Sequence, residues 1–319
     1  MSAPLVSVLL PTYDGAEFVS EALESVLAQT YSRFEIVVAD DTSTDGTTDV
    51  VAGYAKRDRD RVRLYRFPTR EGPCRRRNDA LAEARGSLIA WLDQDDVWLP
   101  TKLERQVAAF TDPSVGLVYC DYEVFDTGTS RAIASRDEHK LPEGDLLRAL
   151  FVEGCFPCSS TVLVRREAMT RRGLRFRDAD FSFGDDYYLW LAISLDWRAA
   201  CVPGKLVRYR RHERNESRRR PEENFHLRRV ALLCEFLEEF PEAREKLGAA
   251  RRAGFARHYL KAGRFEARRG RLAQAAAFGL RGVAASPREL AGAVARSASA
   301  GRSRVAAVMP ARASATFDE

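Results

Sequence analysis

Val6-Ser-Val-Leu-Leu-Pro-Thr-Tyr-Asp-Gly15 is the stretch on which the fold turns. Val6 to Leu10 is a short, unbroken apolar run stopped by Pro11, the form of a strand buried on both faces. Phe18, Val19, Leu23, Val26 and Leu27 then recur at helical spacing. The same unit repeats downstream. Phe34 to Ala39 is a second apolar run, halted by Asp40-Asp41 and the turn formers Ser43, Thr44, Asp45 and Gly46. Val50, Val51, Tyr54 and Ala55 suggest a helix, Val62, Leu64 and Tyr65 a strand, residues 75–85 a helix, and Ser87 to Leu92 a strand ending at Asp93. Strand and helix alternate, so the fold class is α/β with a doubly wound, mostly parallel sheet. Carboxylate pairs sit just past two strand ends, where open α/β sheets bind ligands.

The pattern is more mixed beyond residue 112. Val115 to Tyr122 and Thr161 to Val164 read as strands and Asp185 to Ile193 as a helix. Arg198 to Val202 and Leu206 to Tyr209 read as two short strands closing the fold. From Pro221 the chain becomes helical, with two hairpins suggested by Phe255 to Ala262 and Ala267 to Val283, and Gly263 and Gly270 near their turns. Gly263 to Leu272 hints at tetratricopeptide-like packing, but one weak copy establishes no repeat. The expected division is one domain over 1–220, with halves at about 1–112 and 113–220. An α-helical extension over 221–300 and a disordered Ala/Ser/Arg-rich tail at 301–319 follow.

Composition excludes several classes. The chain of 319 residues, 45% hydrophobic and 30% charged, is that of a globular protein without the ~20 consecutive apolar residues of a membrane span. The N-terminus has no basic leader, and six scattered cysteines suit a reducing cytoplasm, so a cytoplasmic location is expected. Charge is uneven: residues 221–319 carry 18 Lys and Arg against 11 Asp and Glu, inside a net charge of +5. That basic part suits an anionic membrane surface or a phosphate-bearing partner, or simply solvated arginines. Nucleic acid is not expected, since no recognition motif accompanies the charge.

Trp91-Leu-Asp-Gln-Asp-Asp-Val-Trp-Leu-Pro100 places Asp93, Asp95 and Asp96 directly after an apolar strand. Like charges at that density repel, and a cation relieves the repulsion. Hard oxygen ligands select Mg²⁺ or Mn²⁺, which bridge carboxylates to a diphosphate. Taken alone, the cluster reads equally well as an exposed acidic turn before the helix that begins near Pro100. Other strand-end groups shift that balance. Pro11, Thr12 and Tyr13 follow the first strand, and Asp41 at the second can accept hydrogen bonds from a base or ribose. Arg77 and Asn78 open the third helix, where they can meet phosphate or base.

Taken together, Val6–Gly15, Phe34–Thr47 (Phe-Glu-Ile-Val-Val-Ala-Asp-Asp-Thr-Ser-Thr-Asp-Gly-Thr), Arg77-Asn78 and Trp91–Asp96 resemble the family 2 glycosyltransferases of the GT-A fold. The resemblance covers residues 4–215 and is dense over the first 110. It implies transfer of a sugar from a nucleoside diphosphate sugar, of UDP or dTDP type, to a glycan or lipid-linked acceptor with inversion. It also implies that Tyr13 stacks near the base beside Pro11 and Thr12, that Asp41 hydrogen-bonds the base, and that Arg77 and Asn78 face the nucleotide. Asp95 becomes the first metal ligand, Asp93 a ribose or metal contact, and Asp96 a support for the turn. Thr42 stands where the family often has Gly, and Gln94 where a small residue is common.

Gly184-Asp-Asp-Tyr-Tyr-Leu-Trp190 resembles the family's acidic motif at a helix start, so Asp185 or Asp186 is the catalytic base, the register leaving both open. Tyr209-Arg-Arg-His212-Glu-Arg-Asn215 resembles its late His segment, with His212 as a metal ligand or phosphate contact and Arg210 and Arg211 neutralising charge. Cys155-Phe-Pro-Cys158 lacks the second pair that zinc would need and reads as pocket lining with Ser159 and Ser160. Three other readings compete: a dehydrogenase needs G-x-G-x-x-G after the first strand, which Pro11-Thr-Tyr-Asp-Gly15 is not. A sugar nucleotidyltransferase needs a Gly-rich loop after the first strand, which is missing. An inactive nucleotide-sugar-binding protein keeps the donor residues but has no need of Asp185 and Asp186. For the glycosyltransferase, the basic C-terminal helices allow peripheral association with the inner face of the membrane, which liposome flotation of a form truncated near Pro221 would decide.

Overall fold

A computed structural model describes residues 3–127, 132–135, 141–177, 185–215 and 224–285. The tail at 301–319, and residues 286–300 of the expected extension, lie outside the described residues. By packing the chain divides into two compact units, Met1–Glu223 with Leu232–Leu247, and Asn224–Ala231 with Gly248–Glu319. The expected boundary at residue 220 therefore misses one return: Leu232–Leu247 packs with the first unit.

Among the described residues, the first unit holds nine strands in one sheet. β1 (Val6–Thr12), β2 (Phe34–Asp40), β3 (Val62–Arg66) and β4 (Leu88–Trp91) run parallel, joined by α1 (Val19–Leu27), α2 (Thr47–Arg57) and α3 (Pro73–Glu83). β5 (Val97–Trp98), α4 (Lys102–Ala108), β6 (Val115–Asp126), β7 (Ala132–Ser135) and α5 (Leu147–Glu153) follow. Next come the 3₁₀ turn Ser159–Thr161, β8 (Val162–Arg165), α6 (Arg166–Thr170), α7 (Asp185–Ile193) and β9 (Arg198–Arg211). The sheet order is β3-β2-β1-β4-β8-β6-β9-β5, with β7 on β6. β8 runs antiparallel to β4 and β6, and β6 parallel to β9, so the sheet is mixed but mostly parallel, as expected. β9 is one 14-residue strand rather than two, because Pro203 and Gly204 are absorbed as an irregularity in its pairing with β6.

Strand β1 is central and carries the switch. The chain leaves it toward β2, and β4 later returns on its other side, so the crevice between β1 and β4 opens at their carboxyl ends. Pro11 does not end the strand, contrary to the apolar reading. Its register partner is Ala39 in β2, while pairing with β4 stops at Leu9, so the N–H it lacks is not needed on that side. Val6, Val8, Leu10, Ile36, Val38 and Ala90 are fully buried on the core side against Val19, Leu23 and Val26 of α1. The opposite face of β1 buries an ionic group instead. Ser7 Oγ donates to Glu35 Oε1 at 2.6 Å, and Arg63 Nη2 to Glu35 Oε2 at 2.7 Å. Burial opposes the Glu35 charge, but Ser7, the Arg85 N–H and Arg63 outweigh it and hold the carboxyl below its usual range.

α8 (Phe225–Glu239) and α9 (Ala243–Leu247) carry Leu232–Leu247 back to the first unit, where Phe236 and Phe240 meet the Tyr188 ring of α7. Arg177 pairs with Glu235 at 2.7 Å and with Glu239 beside that contact. In the second unit, α10 (Ala250–Arg268) and α11 (Leu272–Ala285) form one helical hairpin, not two. Gly263 is no turn residue. It lies inside α10, where a Cβ would stand 2.9 Å from the Ala275 carbonyl of α11. Gly282 gives the same close approach from α11, 2.9 Å from Leu260. Gly270, at φ +75°, makes the turn.

Candidate active site

The acidic turn after β4 is held from three sides. Ser160 Oγ accepts the Asp93 N–H at 3.1 Å, and Arg77 Nη2 donates to Asp93 Oδ1 at 2.7 Å. Burial disfavours the Arg77 charge, but Asp93 more than compensates and keeps the guanidinium ionised. Asp95 Oδ2 lies 2.9 Å from His212 Nε2 and accepts Asn215 Nδ2 at 3.1 Å. Asp96 points inward, its Oδ1 accepting the Arg210 N–H at 3.0 Å. Burial, then the Asp95 and Asp93 charges, push its carboxyl well above the carboxylate range. Thus three adjacent acids occupy three settings. Asp93 is paired to a cation, Asp95 faces an imidazole, and Asp96 is a buried prop.

Arg210, expected with Arg211 to neutralise charge, turns inward. It is buried, donates Nε to the Asp95 carbonyl at 2.8 Å and pairs with Glu21 of α1, while Arg211 is exposed. The late segment therefore braces the acidic turn. His212 N–H donates to Asn215 Oδ1 at 2.6 Å, and the His212 ring lies 4.7 Å from Phe18, so a tight turn fixes the imidazole toward Asp95. Hard carboxylate oxygen and imidazole nitrogen facing one another are a donor set that suits Mn²⁺ or Mg²⁺. Among the described residues no three His, Cys, Asp or Glu side chains form a complete cage. Such ions normally keep several ligand positions for water and phosphate oxygens, so a two-residue protein contribution fits them.

The β1 loop is built on peptide contacts. Gln94 clamps the Tyr13 peptide, accepting its N–H at Oε1 and donating Nε2 to its carbonyl, both at 2.9 Å. The clamp explains the departure at Gln94 and the need for glycine beside it, since a Cβ on Gly15 would lie 2.3 Å from Gln94 Oε1. Arg70 stacks 3.8 Å over the Tyr13 ring. Thr12 Oγ1 donates to Asp40 Oδ2 at 2.9 Å, and Asp40 also receives Ser43 N–H. Asp41 is buried with both oxygens on the chain itself: it accepts Glu71 N–H at 2.9 Å and Gly72 N–H at 2.8 Å, with Arg76 Nε 3.1 Å away. A base edge meeting Asp41 thus shares that carboxylate with the 71–72 peptides. Thr42 takes the left-handed φ of 66°, which explains why glycine suits the position better.

On the acceptor side the two candidate bases separate. Asp185 is 4% exposed and accepts the Cys74 thiol, which burial and the Asp185 charge keep protonated. Asp186 is half-buried, its Oδ2 3.5 Å from Ser159 Oγ, and its charge is felt by Arg77. Ser159 and Ser160, one 3₁₀ turn, thus touch Asp186 with one residue and Asp93 with the next. Asn78 turns away from this group. Its amide brackets the Phe176 peptide, at 2.7 Å to the carbonyl and 2.9 Å from the N–H. Phe176 packs in turn on Trp91 of β4, which meets Trp190 of α7. Cys155 and Cys158 are partly buried thiols, and the Cys155 thiol donates to the Pro157 carbonyl at 3.2 Å.

Asn215, Arg70, Ser160 and Gln94 are the residues whose contacts the sequence did not reveal. Asn215 sits three residues after His212, the spacing of a turn, and that was the available signal. Arg70 lies in a loop whose direction no periodicity reports.

The carboxyl ends of the parallel strands thus carry Asp41 with Arg76 and Asp93 with Arg77, at the edge where open α/β sheets bind their ligands. The chain belongs to glycosyl transferase family 2, whose sequence profile matches residues 7–173, and it is a glycosyltransferase. It is 31% identical over 194 residues to the UDP-Glc:alpha-D-GlcNAc-diphosphoundecaprenol beta-1,3-glucosyltransferase WfgD of Escherichia coli, across 60% of this chain and 70% of that protein. It spans 52% and 58% of two uncharacterised glycosyltransferases, from Nostoc and Rickettsia prowazekii. Among solved structures, the mannosyltransferase PcManGT of Pyrobaculum calidifontis, in complex with GDP-Man and Mn²⁺, superposes with TM-score 0.61 at 24% identity, covering 94% of this chain and 81% of that one. S. aureus TarS 1–349 with UDP-GlcNAc gives 0.57 at 19%, covering 87% and 88%. These likenesses establish the GT-A type of fold.

Proposed function

We propose that this glycosyltransferase moves a sugar from a UDP- or dTDP-linked donor to a lipid-linked or glycan acceptor, with inversion and with Mn²⁺ or Mg²⁺ bound at Asp95 and His212. The observation that carries the proposal is the linkage of Asp186, Ser159-Ser160, Asp93 and Arg77 at one sheet edge. On this reading Asp186 would act as proton acceptor beside the group that would hold a diphosphate. When bound, the cation supplies positive charge to the departing diphosphate. The acceptor class is supported by WfgD, whose name gives a diphosphoundecaprenol-linked substrate.

The chain's own residues divide the work. Tyr13, under Arg70, offers a ring to the base, with Pro11, Thr12 and Asp41 beside it. Arg77 holds Asp93 and lends its charge to the phosphate side. Asp186 takes the proton from the acceptor hydroxyl as that oxygen attacks the anomeric carbon opposite the leaving group, which gives inversion. Asp185 stays bonded to Cys74 and anchors the first turn of α7. Asn78 positions Phe176, and through Trp91 and Trp190 the helix that carries Asp186.

A panel of nucleotide sugars is screened for Mn²⁺-dependent thermal stabilisation, since ligand binding raises the melting temperature by mass action. Asp186→Asn is expected to keep the stabilisation and lose transfer by about 10²–10⁴-fold. Asp185→Asn is expected to lower the melting temperature. Normal transfer by Asp186→Asn would remove it as the base.

A further inference from the structure

The second unit is strongly basic over its described residues. Over residues 224–231 and 248–285 it has eleven Lys and Arg against one acid, Glu266. His226 adds no charge at neutral pH, because burial and the neighbouring Arg229 and Lys261 lower it to about 4. The two exposed large apolar side chains among the described residues, Leu272 at 69% and Leu280 at 72%, both stand on α11. At ~100° per residue they fall on one side of that helix with Ala276 between them, and Ala273, Ala277 and Ala284, all exposed, widen the strip to ~140°. The side facing α10 is a different one, built from Ala275, Gly279 and Gly282. The hairpin therefore holds its fold with one face of α11 and leaves a second apolar face uncovered. Exposed arginines border that face: Arg268 and Arg269 at its start, Arg281 on its flank.

We propose that this face of α11 is a docking surface for an anionic lipid membrane. Charge complementarity selects the partner, since a strongly basic hairpin concentrates at a negatively charged leaflet. The leucines select lipid over nucleic acid, because an uncovered apolar strip beside basic side chains is the pattern of a helix lying in the membrane interface. No described helix is long and apolar enough to cross a membrane, so the contact is superficial. The proposal deepens the reading of a lipid-linked acceptor and draws its purpose from it. The surface itself follows from charge and exposure alone.

The full chain is sedimented with vesicles of phosphatidylcholine, and with the same lipid carrying about one-third phosphatidylglycerol. Partition onto the anionic vesicles is expected to be at least about tenfold stronger, and to weaken about tenfold between low and high salt. Leu272→Glu with Leu280→Glu, both on exposed positions, is expected to cut it by about tenfold or more at an unchanged melting temperature. Equal partition onto both vesicles, or full partition by the leucine variant, overturns the proposal. Absence of vesicle binding with retained binding of an RNA oligonucleotide makes nucleic acid the partner and also overturns it. So does a dimer that the leucine variant abolishes without vesicle binding. Asp186→Asn is expected to bind vesicles as the unaltered chain does, so a failure of the transfer reading leaves this result standing.

Discussion

The crevice at β1–β4 and the α10–α11 hairpin treat charge in opposite ways. In the sheet that carries the crevice, ions are answered by name: Glu35 by Arg63 at the far end of the strands, and Asp41 by Arg76 and Asp93 by Arg77 at the crevice end. In the hairpin, eleven cations share a single acid and the apolar surface of one helix faces outward. The first arrangement spends its charges on internal geometry, and the second displays them. Catalytic geometry needs groups that cannot move, whereas surface attraction needs only density of charge. Substitutions should therefore be costly and specific in the sheet that carries the crevice and mild and local in the hairpin.

The largest effect is expected at Asp95. Asp95→Asn removes the anion facing His212 and should lower Mn²⁺-dependent transfer by at least about 100-fold, with the melting temperature almost unchanged. Transfer rates titrated against Mn²⁺ check it. Next is Glu35→Gln, which leaves Arg63 without its buried partner and should cost about 3 kcal/mol by urea unfolding. Because the folded Glu35 carboxyl lies below its unfolded value, its contribution is present above the ordinary glutamate range and disappears as pH falls through the folded value. The acid-induced loss of stability should accordingly be shallower in the variant.

Lys102→Met should act the other way. Lys102 is fully buried, with Gln106 at 2.7 Å and the Trp98 ring at 3.8 Å, and burial lowers its amine to about 8. Below pH 8 the fold carries the cost of a buried ammonium, a cost that fades as pH rises from 8 toward the unfolded value near 10.5. The variant should gain about 2 kcal/mol at pH 7, and the gain should shrink at pH 10. The smallest effect is expected in the hairpin. Gly263→Ala improves helix propensity, yet drives a Cβ against the Ala275 carbonyl, for a net loss of about 1 kcal/mol. It should appear in calorimetry while transfer to a soluble acceptor is unchanged. A larger effect of Gly263→Ala than of Glu35→Gln would reverse the comparison.

The two regions also differ in how far they can be read from sequence. β1 to β4 announce themselves because buried parallel strands are continuous apolar runs and their ends are polar. The acidic residues past those ends were found for the same reason. Which way a side chain points was not legible. Asp41 and Asn78 hold their own backbone, and Arg210 braces the acidic turn, because each lies where a loop folds back by a path no periodicity encodes. Asp185 and Asp186 were indistinguishable until α7 set one against Cys74 and the other toward Ser159. In the hairpin, Gly263 passed for a turn residue because glycine marks turns and close helix contacts alike.

The 3₁₀ turn at Ser159–Thr161 has a further implication. Consecutive hydroxyls there reach the proposed base and the proposed donor side, Ser159 toward Asp186 and Ser160 toward the Asp93 peptide. Its length is a gauge: one tightly wound turn spans the gap between the proposed proton acceptor and the acidic turn after β4. An insertion of a single residue would rotate one hydroxyl out of line while leaving the other in place. Relatives that accept larger or differently placed hydroxyls would then be expected to vary in the loops around this turn and to keep the turn itself at constant length.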